Sequence, residues 1–348
     1  MILFQCDYNE GAHPRVMEKL METNLEQTVG YGEDEHCAHA AELIRKACGN
    51  ESLAVHFLVG GTQANMTVIA AALRPHQGVI AAQTGHINCH ETGAVESTGH
   101  KVLALPHKDG KISAAQVERL CREHREDASF EHTVQPKMVY ISNPTEYGTL
   151  YTAKELEELS AACRRNGLYL FLDGARLGYG LAAADNELDL PFIASCCDVF
   201  YIGGTKVGAL FGEAVVMSND ELKRDFRYFI KQKGGMLAKG RLLGVQFEAL
   251  MEDGLYLEIS RRADRLADKL REAFVRCGFP MLVESRTNQI FPVMPDAVLK
   301  ELSGRYGFSW QERVDDTHSA VRFCTSWATR EENVDRLIAD LEKMGPIR

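Results

Sequence analysis

Three segments of the chain carry side chains suited to chemistry. Gly61-Thr62 follows an apolar run and opens a helical pattern, so its free N–H groups and hydroxyl can bind an anion such as phosphate. Asp173 ends a run of five apolar residues, where a carboxylate needs a partner. Lys206 lies in a glycine-rich apolar turn. Desolvation there lowers the pKa of a lysine and frees its amine as a nucleophile.

Each segment alone also has a purely structural explanation. Gly61-Thr62 fits a tight turn between a strand and a helix, Asp173 fits a cap paired with Arg176, and most lysines are surface residues. The glycine segment matches neither the nucleoside-triphosphatase loop nor the dinucleotide fingerprint. As a set, with 33 residues from Asp173 to Lys206, the segments are the parts of a pyridoxal phosphate site. The lysine forms a Schiff base, the carboxylate keeps the pyridine nitrogen protonated, and the glycine-threonine segment holds the phosphate.

Short apolar runs bounded by turn residues predict the strands that position these segments. They are Val55–Val59, Gly78–Ala82, Lys101–Leu105, Lys137–Ser142, Leu168–Asp173, Asp198–Ile202 and Gly212–Met217. Helical patterns lie between most of them: Gln63–Leu73, Ala114–His124, Ala153–Arg165 and Leu190–Cys196. This alternation predicts an α/β fold with a seven-stranded, mostly parallel sheet covered by helices. The link before the last strand is too short for a crossover, so that strand should be antiparallel.

The pattern changes near residue 250, which predicts a boundary between a large domain (1–250) and a small α+β domain (251–348). The small domain begins with a long amphipathic helix, Leu255–Cys277. Three short strands and a final helix should follow: Met281–Glu284, Gln289–Pro292, Ala320–Thr325 and Arg330–Met344. Residues 1–15 are expected to form an arm that contributes to the site.

Composition narrows the possible partners. The 348 residues carry a net charge of −10, which argues against nucleic acid or an anionic membrane as the main partner. A small molecule is therefore expected. No signal peptide or membrane-spanning stretch is visible, and ten cysteines without a C-x-x-C pair favour reduced thiols in the cytoplasm.

The motifs resemble a known family, the fold-type I pyridoxal phosphate enzymes, and among them the L-threonine aldolases. The resemblance covers nearly the whole chain, through the segments Asp7–Pro14, Tyr31–Asp34, Gly61–Asn65, His86 with Glu91–Gly93, Asp173–Arg176, Gly203–Lys206, Met251–Gly254 and Val321–Phe323 with Ser326-Trp327. It implies an aspartate aminotransferase-like fold and an aldolase that cleaves L-threonine or L-allo-threonine into glycine and acetaldehyde.

The resemblance also implies roles for individual residues. Lys206 would be the Schiff-base lysine, Asp173 the partner of the pyridine nitrogen, and His86 the ring stacked on the cofactor. Arg176 and Arg322 would bind the substrate carboxylate. The expected phosphate ligands are Gly61, Thr62 and Thr205.

Two residues depart from the threonine aldolase pattern, and both belong to the part of the site that would bind the substrate. Tyr31 is also expected to bind the substrate. Cys6 stands where threonine aldolases commonly have serine, and Glu146 stands where many have histidine. The base at the β-hydroxyl therefore stays open among His86, Glu146, Glu91 and a bound water. No metal is expected, although His86, His90 and Glu91 could be read as ligands.

The sequence leaves alternatives to the aldolase activity open. The same cofactor supports β-elimination, transamination or racemisation of another amino acid, and the same fold could serve as a non-catalytic scaffold. The resemblance implies a homotetramer with sites between subunits. Arg241 lies at the end of a basic segment that starts at Lys231. It is a candidate to bind the cofactor phosphate of a neighbouring subunit, and the alternative is that the segment is a solvated helix face.

Overall fold

The computed structural model describes residues 1–344, and a seven-stranded sheet dominates it. Its strands are β2 (Ala54–Leu58), β3 (Gln77–Ala82), β4 (Lys101–Leu105), β5 (Gln135–Ser142), β6 (Tyr169–Asp173), β7 (Val199–Gly203) and β8 (Glu213–Met217). Their order across the sheet is β2-β8-β7-β6-β5-β3-β4. All seven predicted strands are confirmed, and β8 is antiparallel to both neighbours, as its short connection required.

Helices cover both faces of this sheet and separate most of its strands. They are α1 (Pro14–Glu22), α2 (Glu35–Ala47), α3 (Gly61–Ala72), α4 (His86–Cys89), α5 (Ala114–Glu126), α6 (Ala153–Asn166), α7 (Leu177–Ala182), α8 (Leu190–Cys196), α9 (Asp220–Lys223), α10 (Phe226–Gln232) and α11 (Arg241–Met251). The strands β3 to β7 are mutually parallel, which places their carboxyl ends at one edge. Two apolar clusters fill the layers between sheet and helices.

The C-terminal part is a smaller α+β unit around its own apolar cluster. It contains α12 (Leu255–Arg276), β9 (Gln289–Ile290), β10 (Val293–Pro295), α13 (Asp296–Leu302), β11 (Tyr306–Gly307), β12 (Ser309–Arg313), β13 (His318–Cys324) and α14 (Glu331–Met344). The predicted strand Met281–Glu284 is wrong, since only Met281 forms an isolated bridge. β12 was not predicted. The boundary at residue 250 stays a prediction.

The N-terminal arm runs from the small unit to the large one. Its first strand, β1 (Ile2–Leu3), pairs in parallel with β11, and Asp7 then reaches the edge of the large sheet. The arm therefore joins the two parts near the cavity described below. Within residues 1–344 no helix is long and apolar enough to cross a membrane.

Candidate active site

A cavity of about 300 Å³ opens at the carboxyl ends of the parallel strands, where open α/β sheets bind ligands. The three segments singled out from the sequence meet there, because Gly61-Thr62, Asp173 and Lys206 all line it. The other polar side chains around it are Tyr8, His86, Ser142, Thr145, Glu146, Arg176, Tyr201, Thr205 and Glu213. An anion site, a buried carboxylate and a lysine thus share one cavity.

Lys206 lies in the tight turn that joins β7 to β8. The Thr205 N–H donates to the Gly212 carbonyl at 3.1 Å, and the Tyr179 hydroxyl donates to the Lys206 carbonyl at 2.6 Å. Burial lowers the pKa of the Lys206 amine, and the charge of Arg176 lowers it further, while three nearby carboxylates oppose the change. The fixed backbone and the lowered pKa favour a nucleophilic amine.

Asp173, at the end of β6, is buried and fully engaged in hydrogen bonds. Its Oδ2 accepts from the Tyr140 hydroxyl and, at 3.1 Å, from the Asn65 amide, and its Oδ1 accepts from the Ala175 N–H at 2.9 Å. Burial opposes ionisation, but the His86 ring and these donors outweigh it and lower the pKa of Asp173. The carboxylate is therefore ionised at neutral pH and can hold a protonated nitrogen.

Two glycines let the ends of β6 and β7 approach each other. A Cβ at Gly174 would lie 1.8 Å from the Tyr201 carbonyl oxygen, and one at Gly203 would lie 2.3 Å from the Ala175 carbonyl oxygen. No side chain fits at either position. The glycines thus bring the Asp173 and Lys206 segments together.

His86 begins α4 and is held by a buried carboxylate. Its Nδ1 lies 2.7 Å from Glu91 Oε1, and the same oxygen accepts from the Asn65 amide at 2.7 Å. Asn65 therefore bridges Glu91 and Asp173. Because Nδ1 is taken, Nε2 is the nitrogen that His86 can offer to a ligand in the cavity.

Glu146 lies beside His86 in the loop after β5. Its Oε1 accepts from the Ser142 hydroxyl at 2.7 Å and from the His86 N–H at 2.8 Å. Burial raises the pKa of Glu146 although the Ser142 hydrogen bond opposes it. This side chain therefore positions His86 and also lines the cavity.

Arg176 is already paired with a carboxylate. Its Nε donates to Asp7 Oδ2 at 2.7 Å and its Nη2 to Asp7 Oδ1 at 3.0 Å, while the Asn288 amide donates to Oδ2 at 2.8 Å. Burial opposes ionisation of Asp7, but the charges of Arg176 and Lys206 outweigh it and lower the pKa of Asp7 to about 2. Of the two arginines predicted to bind a carboxylate, this one keeps only Nη1 free of Asp7.

Arg322, on β13, has no such pairing. Its Nη1 donates to the Gln289 side chain at 3.2 Å and its Nη2 to the Gln5 carbonyl at 3.1 Å, and both acceptors are neutral. Its Nε is buried without a hydrogen-bond partner within residues 1–344. A half-buried guanidinium whose buried Nε has no acceptor is suited to an anionic ligand.

The anion site consists of Gly61, Thr62 and Thr205. Gly60 is the N-cap of α3 and offers no side-chain acceptor, so the N–H groups of the first turn stay available to an anion. The Thr205 hydroxyl lies on the opposite side, in the Lys206 turn, and contacts Glu213 at 2.8 Å. The combination of helix N-terminus and hydroxyl fits a phosphate group.

Five predicted site residues do not line this cavity. Glu91 contacts it only through the His86 ring, to which it is hydrogen-bonded. Arg322 lies near Tyr8, which does line it.

The other three predicted residues have their contacts elsewhere in the chain. Tyr31 is 46 % exposed, with the Lys231 amine 4.8 Å from its ring centre. Arg241, at the start of α11, donates to the Thr23 hydroxyl at 3.0 Å. The Cys6 thiol contacts a side chain of the arm. One chain therefore does not bring Tyr31, Arg241 or Cys6 to the cavity beside Lys206.

A separate group of possible ligand atoms lies away from the cavity, at His39, Glu248 and Glu252. The Lys19 amine lies 3.3 Å from Glu248 and 2.8 Å from Glu252, so a cation already occupies the centre of this group. The absence of a metal stays a prediction.

Several cavity residues were not identified as site residues from the sequence. They are Tyr8, Ser142, Tyr201 and Glu213. Two residues that donate hydrogen bonds to Asp173, Asn65 and Tyr140, were missed as well. Glu213 had a detectable signal, because a carboxylate at the head of an otherwise apolar strand is costly unless it has a purpose. The tyrosines inside apolar strands gave none.

Comparison with known proteins identifies the family of this chain. The Beta-eliminating lyase family matches residues 6–297. A low-specificity L-threonine aldolase from Pseudomonas sp. is 31% identical over 342 residues, which cover 97% of this chain and 96% of the relative. A low-specificity L-threonine aldolase from Pseudomonas aeruginosa is 30% identical over the same shares.

Solved structures give the same picture. The chain superposes on the Leishmania major threonine aldolase with a TM-score of 0.96 and 45% identity, over 99% of both chains. An aspartate aminotransferase from Thermus thermophilus, 17% identical with a TM-score of 0.71 over 98% of this chain and 96% of that one, shares the fold. The predicted fold class is thereby confirmed, and the chain belongs to the Beta-eliminating lyase family and to its threonine aldolases.

Proposed function

We propose that this enzyme is a carbon–carbon lyase that uses pyridoxal phosphate to cleave L-threonine and L-allo-threonine into glycine and acetaldehyde. The observation that carries the proposal is the meeting of Lys206, Asp173 and the anion site in one cavity. Arg322, a half-buried cation without a carboxylate partner within residues 1–344, lies near Tyr8 at this cavity.

The residues present fit pyridoxal phosphate. Asp173 is an ionised, buried carboxylate suited to the pyridine nitrogen, and the Gly61-Thr62 helix end with Thr205 suits the phosphate. Lys206 supplies the amine that the cofactor's aldehyde requires, and the flat His86 ring can cover the pyridine. When bound, the cofactor draws electrons from the bonds at the substrate's Cα.

Arg322 is proposed to bind the substrate carboxylate. Its buried Nε has no acceptor within residues 1–344, so an incoming carboxylate would satisfy a donor that is otherwise costly. Arg176 contributes through Nη1 only, and its pairing with Asp7 keeps it in place. Fixing the carboxylate orients the Cα–Cβ bond that must break.

His86 is proposed to accept the β-hydroxyl proton at Nε2. The hydrogen bond from Nδ1 to the Glu91 carboxylate stabilises the ring once it is protonated, as a general base requires. Glu146 is less suited to that role because burial raises its pKa and favours its neutral form. Its contact with the His86 N–H supports a positioning role instead.

The positions of Tyr31 and Arg241 support a homotetramer with sites between subunits. Both lie outside their own chain's cavity yet close to one another, since the Tyr31 N–H donates to the Ala238 carbonyl at 3.1 Å. Exposed apolar side chains occur along the same N-terminal stretch, at Met17, Met21, Leu25 and Val29. Arg241 is proposed to reach a neighbour's phosphate, and a reducing compartment such as the cytoplasm suits the ten free thiols.

Product identity tests the reaction. The enzyme with pyridoxal phosphate is incubated with threonine, allo-threonine and phenylserine, and separately with serine. Glycine release from the β-hydroxy substrates is expected, with phenylserine accepted because neither arginine contacts the β-substituent. Pyruvate from serine without glycine from the other three would make the protein a β-eliminating enzyme instead.

A further inference from the structure

Glu213 is a carboxylate in the cavity to which none of the steps above assigns a role. It begins β8, is 3% exposed and lines the same cavity as Gly61, Thr62 and Thr205. The rest of the strand, Ala214–Met217, is apolar. An ionised carboxylate there would repel a phosphate dianion.

Hydrogen bonds tie Glu213 to the anion site. Its Oε1 lies 2.8 Å from Thr205 Oγ1, and its Oε2 accepts from the Gly204 N–H at 3.1 Å. Thr205 Oγ1 also accepts from the Gly212 N–H at 3.0 Å. The single hydroxyl proton of Thr205 therefore decides what the site can offer to an anion.

The two protonation states of Glu213 leave Thr205 in different roles. An ionised Glu213 is an acceptor only, so it takes the Thr205 proton and adds a negative charge. A neutral Glu213 can donate its proton to Thr205 Oγ1, which frees the Thr205 proton for a phosphate oxygen. The neutral form thus removes a charge and gains a donor.

The surroundings favour this neutral form. Burial raises the pKa of Glu213 to about 8, although the Thr205 hydrogen bond and the charge of Lys206 oppose the shift. Asp173 contributes further negative charge, and the Tyr201 and Tyr256 hydroxyls that face Glu213 stay neutral because burial raises the pKa of each. Glu213 can therefore carry a proton at neutral pH.

We propose that Glu213 makes the anion site proton-linked: the phosphate of pyridoxal phosphate binds with Glu213 neutral, and in alkaline solution its binding takes up one proton there. This inference rests on the proposed function, since it treats the cavity as the cofactor site. It adds that cofactor retention weakens as the pH rises, independently of catalysis.

The test compares pyridoxal phosphate with pyridoxal, which lacks only the phosphate. Dissociation constants of both are measured on apoprotein from about pH 7 to about pH 9.5, where a phosphate monoester with a second pKa of about 6 is a dianion throughout. The dissociation constant of pyridoxal is divided by that of pyridoxal phosphate, and this ratio cancels the ionisation of Lys206 and of the ring. It should fall about tenfold for each pH unit above the pKa of Glu213.

Glu213→Gln is the matching variant, because its amide can donate to Thr205 permanently while its oxygen accepts from Gly204. In this variant we expect the ratio of the two dissociation constants to be independent of pH. At pH about 7 the ratio should be no smaller than in wild type. Glu155→Gln, on α6 and outside the cavity, should keep the wild-type slope. A second measurement needs no variant: the number of protons that wild type takes up on binding each ligand at pH about 9. Binding of pyridoxal phosphate should take up about one proton more than binding of pyridoxal.

A flat ratio in wild type, a slope retained in Glu213→Gln, or equal proton uptake with both ligands would overturn the inference. Any of these results leaves the proposed function intact, because pyridoxal phosphate would still bind. Failure of wild type to bind pyridoxal phosphate at all would instead overturn the proposed function, and this inference with it.

Discussion

The two sides of the cavity are built differently. On the sheet side, Asp173 and Lys206 lie at strand ends or in the adjoining turn, and the donors around Asp173 are fully matched. On the arm side, Asp7 and Arg322 come from opposite ends of the chain, and Arg322 keeps a buried donor without a partner within residues 1–344. The first side is preorganised, whereas the second keeps a donor that a bound carboxylate is proposed to satisfy.

This difference predicts where substitutions act. Changes on the sheet side should lower kcat for every substrate, because they alter the cofactor chemistry itself. Changes on the arm side should act through recognition of the substrate carboxylate.

Lys206→Ala should have the largest effect. Loss of the amine removes both the covalent attachment of the cofactor and the exchange with substrate, so turnover should fall by roughly several orders of magnitude. Glycine release and circular dichroism are measured together, because the fold should be retained. Turnover near the wild-type rate would move the nucleophile to another residue.

Asp173→Asn should come next. The amide keeps the shape but lacks the charge that keeps the pyridine nitrogen protonated, and we expect kcat to fall by roughly a hundred- to a thousandfold with little change in KM. Tyr140→Phe, which removes one donor to Asp173, is the milder control. A nearly normal kcat in Asp173→Asn would reduce Asp173 to a structural cap.

Arg322→Lys should cost about 1.5–3 kcal/mol, or roughly ten- to a hundredfold in kcat/KM, because an ammonium cannot reproduce a planar guanidinium contact. Thermal stability should barely change, since no ion pair of Arg322 occurs within residues 1–344.

Arg176→Lys provides the contrast on the same side of the cavity. It breaks a buried two-pronged pair with Asp7, so its Tm should drop clearly. Equal losses of stability in both variants would erase the distinction between a free and a paired arginine.

The smallest effect concerns pH. The pKa of Asp7 is lowered from 3.8 to about 2 in the folded protein, so its ionised form stabilises the fold above the pKa of the unfolded chain. That contribution, about 2 kcal/mol, should be lost progressively as the pH falls from about 4 towards about 2. The difference in unfolding free energy between wild type and Asp7→Asn should therefore narrow below pH about 4. A difference that stays constant with pH would mean that folding does not lower the pKa of Asp7.

The sheet side could largely be predicted from the sequence. Strand ends in a parallel sheet meet at one edge, so Asp173, Lys206 and Gly61-Thr62 were expected to converge, and they do. Glu213 was missed although the predicted strand Gly212–Met217 contained it, and its carboxylate in an otherwise apolar strand was the available signal.

The arm side was less predictable because its contacts join distant parts of the chain. Asp7 pairs with Arg176 169 residues later, and no local pattern signals such a partner. The same reason explains the wrong strand at Met281–Glu284. Only Met281 packs against the apolar cluster of the small unit and forms a bridge, so the segment has no continuous neighbouring strand.

The central claim is that Lys206 is the residue that holds the cofactor. Borohydride reduction of the protein with pyridoxal phosphate, followed by peptide mass spectrometry, tests it most directly, because reduction fixes the cofactor to whichever amine carries it. We expect the added mass on the peptide that contains Lys206, and none in Lys206→Ala. Cofactor mass on another lysine, or on no peptide at all, would contradict the account.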